Sequence, residues 1–236
     1  LDWSILFPVY SCITITALIW INSMKITEKR NSSDHHASLR SCLGLLKNGY
    51  VLSMVLGIFI YCGVEIAMSS HVPLLLKDRY GISVEKMGLL ISWSLFYLPI
   101  LLGRFFGSFI MRYIAPKRLL LITGFVALTG VLMIFYNSFA LTLAGTLLVG
   151  LGFANIFPLI FSLTIENMPS HTNELSGLMV SSVAGGAIIP PITGLVADNV
   201  SVTMAFIVPL LCICYLIFVA IINNKKKPVE NGKALS

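Results

Sequence analysis

The stretch Leu52–Leu76 is predominantly apolar and carries a single carboxylate, Glu65, in its interior. About 20 helical residues are enough to cross the hydrocarbon core of a bilayer, and this run is long enough to do so. At that depth every backbone N–H and C=O must find its partner within the protein, which leaves helices and closed barrels as the available folds. A carboxylate placed there costs roughly 2.5–3.5 kcal/mol even on translocon-insertion scales. Residues of this kind face a bundle interior or a water-filled cavity, so Glu65 is a candidate functional residue.

Composition extends the conclusion to the whole chain. Hydrophobic residues make up 57% of it and charged residues only 11%, against about 25% charged in soluble domains. A water-soluble fold of this length has no way to hide so much apolar surface. Hydropathy predicts seven spans, at Trp3–Ser23, Gly49–Leu76, Met87–Met111, Leu119–Tyr136, Phe139–Ile165, Leu175–Ala197 and Val202–Ile222. Their lengths fit helices, and the chain reads as an all-α integral membrane protein with seven transmembrane helices.

The net charge of +6 belongs to helix ends rather than to a nucleic-acid surface, because no stripe of basic and aromatic residues is present. With Leu1 outside, the inner loops hold Lys25, Lys29, Arg30, Arg40, Lys47, Arg112, Lys117 and Arg118, and the tail adds Lys225, Lys226, Lys227 and Lys233. The outer loops hold Lys77, Arg79 and Lys86. The excess of Lys and Arg places the tail on the cytoplasmic side. The five cysteines form no CxxC pair, and four lie in apolar segments, where they read as small packing residues. The longest polar connection, 24–48, contains His35 and His36. Adjacent histidines lack a ligand set, and the segment reads as a solvated linker without a metal. It divides the first span from the other six, whose short connections make one bundle. The chain opens on Leu1 almost directly in a membrane segment, and it reads as a fragment of a longer protein.

Candidate site residues fall in four spans. Tyr61, Glu65 and Ser69 are spaced i, i+4, i+8 and share one helical face. A phenol, a carboxylate and a hydroxyl on that face suit a polyhydroxylated solute or a proton; the alternative is a glutamate buried against a neighbouring helix. Trp93 and Tyr97 lie one turn apart, with rings that suit the faces and hydroxyl rims of sugars or an interfacial aromatic belt. In Gly150–Pro158 the amide of Asn155 must be satisfied by the bundle or a solute, and the glycines and Pro158 loosen the helix around it. Ser162 follows on the same face. In the sixth span Gly185 and Gly186 allow close helix approach, and Pro190 and Pro191 bend the helix. Gly103, Arg104 and Gly107 form a small-residue element around a cation, whose expected role is a latch between helices, paired with Asp198 or Glu174. His71 and Pro73 are expected to end the second span at the interface. Asp78-Arg79-Tyr80 is expected in the following loop, its likeness to a receptor tripeptide being chance. Phosphate loops, nucleophile elbows and paired intramembrane aspartates are absent, and no enzyme activity is expected.

These segments carry a resemblance. Tyr61–Ala67, Gly103–Gly107, Gly152–Ile165, Gly185–Pro191, Gly194 and Ala197-Asp198 make the chain similar to the C-terminal part of a major facilitator superfamily transporter. Within it, the chain resembles the fucose/glucose–galactose permease family of sugar:cation symporters. The resemblance covers Gly49 to Ile222. It implies a twelve-helix fold in two halves working by alternating access, of which the seven spans are helices six to twelve. Residues 1–23 are then the last helix of the N-terminal half, 24–48 the cytoplasmic inter-half loop, 49–222 the C-terminal six-helix bundle and 223–236 a cytoplasmic tail. It further implies a neutral sugar as solute, a proton or sodium as coupling ion, no cofactor, a monomer, and a place in the bacterial inner membrane. The family's fucose member carries its main coupling carboxylates in the N-terminal half. Two other readings stand beside this one: a facilitator of drugs or organic acids, and a seven-helix receptor or sensor.

Overall fold

The computed structural model describes residues 6–24, 39–85 and 89–225. Every element among the described residues is helical. The chain divides into two units, Leu1–His36 and Ala37–Ser236. The first contains α1 (Leu6–Ser23), which is apolar on every side. The second contains a short α2 (Leu39–Leu45) and six helices long and apolar enough to cross a bilayer. These are α3 (Gly49–Tyr80), α4 (Leu90–Ile110), α5 (Pro116–Ile134), α6 (Phe139–Asn167), α7 (Pro169–Asn199) and α8 (Val202–Asn224). They correspond in order to the six later spans expected from hydropathy. Of the expected inter-half loop 24–48, residues 25–38, with His35 and His36, lie outside the described residues, as does most of the tail, while Leu39–Leu45 forms α2.

Helix ends follow local chemistry. The Asn48 side chain accepts from the Tyr50 amide at 3.0 Å and starts α3. The helix runs through Pro73 and stops only at Gly81, whose φ of 65° is a left-handed conformation that glycine adopts without a Cβ clash. This corrects two expectations. Pro73 does not end the span, and Asp78-Arg79-Tyr80 forms the last turn of α3 rather than a loop. His71 is buried, with Nδ1 2.9 Å from the Ala67 carbonyl.

The bundle packs α5 against α6 and α8, α3 against α7, α8 and the second half of α6, and α4 against the first half of α6. Small residues set the closest crossings. Gly130 of α5 and Gly145 of α6 face each other so closely that a Cβ on either would meet the other's carbonyl oxygen. Gly63 of α3 and Gly185 of α7 do the same job at the α3–α7 crossing.

Both ends of the bundle are tied by polar side chains. At the end bearing Gly81, Arg79 donates from Nε to the Thr203 hydroxyl (3.0 Å) and from a terminal nitrogen to the carbonyls of Ile134 (2.7 Å) and Tyr136 (3.1 Å). Tyr80 bonds Thr142 (3.0 Å) and packs edge-on against Phe139. At the end bearing Asn48, the Tyr50 hydroxyl donates to Asn223 Oδ1 (3.1 Å) and accepts from Asn167 Nδ2 (2.8 Å), which joins α3, α6 and α8.

A polar cluster at the break in α6

α6 is not one continuous helix. It is helical over Phe139–Phe153, turns at Ala154 and Asn155, and resumes at Ile156–Asn167. Proline explains the place. Pro158 has no N–H, so the carbonyl four residues earlier, on Ala154, loses its intrahelical donor. Arg104 of α4 replaces that donor, with Nε 3.1 Å from the Ala154 oxygen. The neighbouring carbonyl, on Phe153, accepts from the Tyr61 hydroxyl of α3 at 3.0 Å. The break is therefore closed by donors from two other helices, as a polar backbone in hydrocarbon requires.

Asn155 completes the arrangement in the reverse direction. It is buried between α4 and α6 and donates from Nδ2 to the Gly103 carbonyl at 2.9 Å. Gly107 makes the room, because a Cβ there would run into the Asn155 amide. A Cβ on Gly103 would likewise meet the Ala154 methyl.

Glu65 sits one turn beyond Tyr61 on α3 and is half-buried. Glu65 and Arg104 are both close enough to the Tyr61 phenol to interact with it electrostatically. One negative and one positive side chain thus flank a buried hydroxyl at membrane depth. Arg104 lies here, against Ala154 and Tyr61, which replaces the expected pairing with Asp198 or Glu174. The structure brings Tyr61, Glu65, Asn155, Gly103, Arg104 and Gly107 into one region.

The remaining predicted residues lie around it. Ser69 is one turn further along α3 and donates to the Ile66 carbonyl. Ser162, in the second half of α6, donates to Glu166 at 2.7 Å. Trp93 and Tyr97 bound a π-helical turn in α4 and are exposed at 58% and 39%. This turn precedes Pro99, whose missing N–H and bulky ring disfavour a regular helix there. The turn presses the Phe96 carbonyl toward Gly150, where a side chain would collide with it. Ring contacts run from Tyr97 through Phe96, Phe153 and Tyr61 to Phe157 and Phe161. Gly185 and Gly186 seat α7 on α3 against Phe59 and Ile66, while Pro190 and Pro191 fall in its second helical stretch, after a 3₁₀ turn at Ser182–Ala184.

Sequence reasoning missed the Arg79 and Tyr50 ties, and it missed Gly63 and Gly150 as crossing points. It also missed the partner of Arg104. Pro158 was read only as loosening the helix around Asn155, whereas its offset of four from Ala154 is the signal that points to the orphan carbonyl.

Comparison with known proteins gives the same architecture. The chain is 32% identical over 170 residues to a glucose/galactose transporter of Brucella abortus, covering 72% of this chain and 41% of that protein. It is 34% identical over 185 residues to a putative glucose/galactose transporter of Helicobacter pylori, covering 73% and 43%. The chain thus spans about two fifths of the length of these curated relatives. A crystal structure of the E. coli fucose:proton symporter superposes with a TM-score of 0.79 at 23% identity, over 94% of this chain and 56% of that one, which establishes the fold. Residues 1–189 match the profile of the Major Facilitator Superfamily. The chain is a multi-pass integral membrane protein and belongs to the Major Facilitator Superfamily.

Proposed function

We propose that this chain forms part of a secondary transporter that carries a neutral sugar of the glucose, galactose or fucose class by alternating access. The observation that carries the reading is the Tyr61–Glu65–Arg104 cluster. A carboxylate and a guanidinium beside one phenol offer acceptors and donors while their charges cancel, which suits a solute rich in hydroxyls and without charge. The names of the relatives, two glucose/galactose transporters and a fucose:proton symporter, support the same class.

In this reading Glu65 accepts hydrogen bonds from sugar hydroxyls, with Ser69 beside it. Trp93 or Tyr97 packs on the sugar ring. Tyr61 and Asn155 hold the frame through Phe153 and Gly103, and Ser162 lines the wider cavity. Gly185, Gly186, Pro190 and Pro191 permit α7 to bend. The coupling ion is a proton, with sodium as the alternative. The protein resides as a monomer in a bacterial inner membrane with its C-terminus in the cytoplasm, the side on which its Lys and Arg residues gather.

Titration calorimetry on the purified protein from its complete gene tests the substrate class. Galactose, glucose or fucose is expected to bind, and Glu65→Gln is expected to weaken binding at least about tenfold, the loss of roughly one charged hydrogen bond. Binding of an organic anion or a drug in preference to every sugar would contradict the reading.

A further inference from the structure

The bend in α6 is held from outside α6. Pro158 leaves the Ala154 carbonyl without an amide donor, and Arg104 Nε occupies that place at 3.1 Å. Asn155 answers with a bond to Gly103, the residue before Arg104. Two reciprocal bonds therefore join one turn of α4 to the two residues of the break. The Ala154 methyl packs on Gly103, and the Asn155 amide on Gly107, so the helices meet here without a spacer. A guanidinium has its donors in a rigid planar fork. Its Nε can hold the carbonyl while the terminal nitrogens remain directed elsewhere, and the Tyr61 phenol is a polar group near it.

We propose that Arg104 is a positioning residue that stands in for the amide missing at Pro158, and so fixes the angle between Phe139–Phe153 and Ile156–Asn167. Through Phe153 this angle also sets the hydroxyl of Tyr61, and with it the neighbourhood of Glu65. Arg104 acts on the site through backbone, not by touching solute. The proposal does not depend on the solute being a sugar.

A double-mutant cycle tests it. The substitution Pro158→Ala restores an N–H four residues after Ala154, so Arg104 becomes dispensable to that carbonyl. Arg104→Met is expected to lower the melting temperature of the detergent-solubilised protein by about 3–6 °C in the Pro158 background. In the Pro158→Ala background it is expected to cost less than half as much. Any loss from removing the guanidinium charge near Tyr61 is common to both backgrounds and cancels in the cycle.

Spin labels at Ala144 and Glu166, exposed on either side of the break, supply a readout of the angle itself. Arg104→Met is expected to broaden their distance distribution with Pro158 present and to leave it narrow in the Pro158→Ala background. Equal melting losses in the two backgrounds, or an unchanged distribution in Arg104→Met, would overturn the proposal. If Arg104→Met fails to accumulate, Arg104→Lys run through the same cycle carries the test. Lysine keeps the charge but not the fork, and the same background dependence is expected with a smaller amplitude. Neither readout requires transport, so failure of the sugar reading is seen separately, as absence of sugar binding to the unmutated protein.

Discussion

Tyr61 shows how much of a membrane-embedded site depends on one hydroxyl. Its ring is buried between Phe153 and Phe157, and its oxygen bonds the Phe153 carbonyl. Tyr61→Phe keeps the ring and removes the hydroxyl's bond to the Phe153 carbonyl. A loss of about 1–3 kcal/mol in stability is expected, read as a lowered melting temperature; an unchanged one would mean that another donor reaches Phe153. Tyr61 and Glu65 were legible in the sequence because a polar group in an apolar run stands out and demands a partner. Their partners were not legible. Arg104 was expected opposite a carboxylate, because opposite charges pair most readily on paper, and the structure gives it a carbonyl that lacks a donor only because Pro158 lies four residues away. His71 and Pro73 were read as ending the span, yet α3 continues past that proline to Tyr80.

At the scale of the helix, the apolar runs named the spans in order, since hydrocarbon thickness fixes their length. Their ends were less legible. α3 absorbs Lys77, Asp78, Arg79 and Tyr80 because the stop signal is Gly81, not the first charged residue. The irregularities follow proline: the π turn precedes Pro99, and the break in α6 precedes Pro158. Glycines decide how closely the helices cross, and a sequence does not say which glycine faces which helix. Gly185→Leu is expected to drive α7 off α3, because even a Cβ there collides with the backbone at Phe59. A cost of about 1–3 kcal/mol or more is typical of such overpacking. The expected result is loss of a monodisperse peak on size exclusion, whereas Gly177→Ala, with open space around it, is expected to leave the peak intact.

Across the bundle, the two polar ties hold opposite ends. Arg79 gathers the ends of α3, α5 and α8, and Tyr50 gathers α3, α6 and α8. α3 and α8 are thereby tied to each other at both ends, with α5 added at one end and α6 at the other. Arg79→Ala leaves the Ile134 carbonyl without its arginine donor, and a stability loss of about 1–3 kcal/mol is expected, seen as a lowered melting temperature. A loss no larger than that of Lys77→Ala, an exposed residue in the same turn, would show the tie to be unimportant.

In the proposed function this bundle serves sugar transport driven by an ion gradient. This role is tested most directly by uptake of labelled galactose, glucose and fucose into cells expressing the protein from its complete gene, with and without a proton uncoupler. Saturable uptake of at least one sugar that collapses with the uncoupler, and that Glu65→Gln abolishes at equal expression, is the predicted result. No uptake of any of the three with the protein present in the membrane, or full uptake by Glu65→Gln, would contradict it.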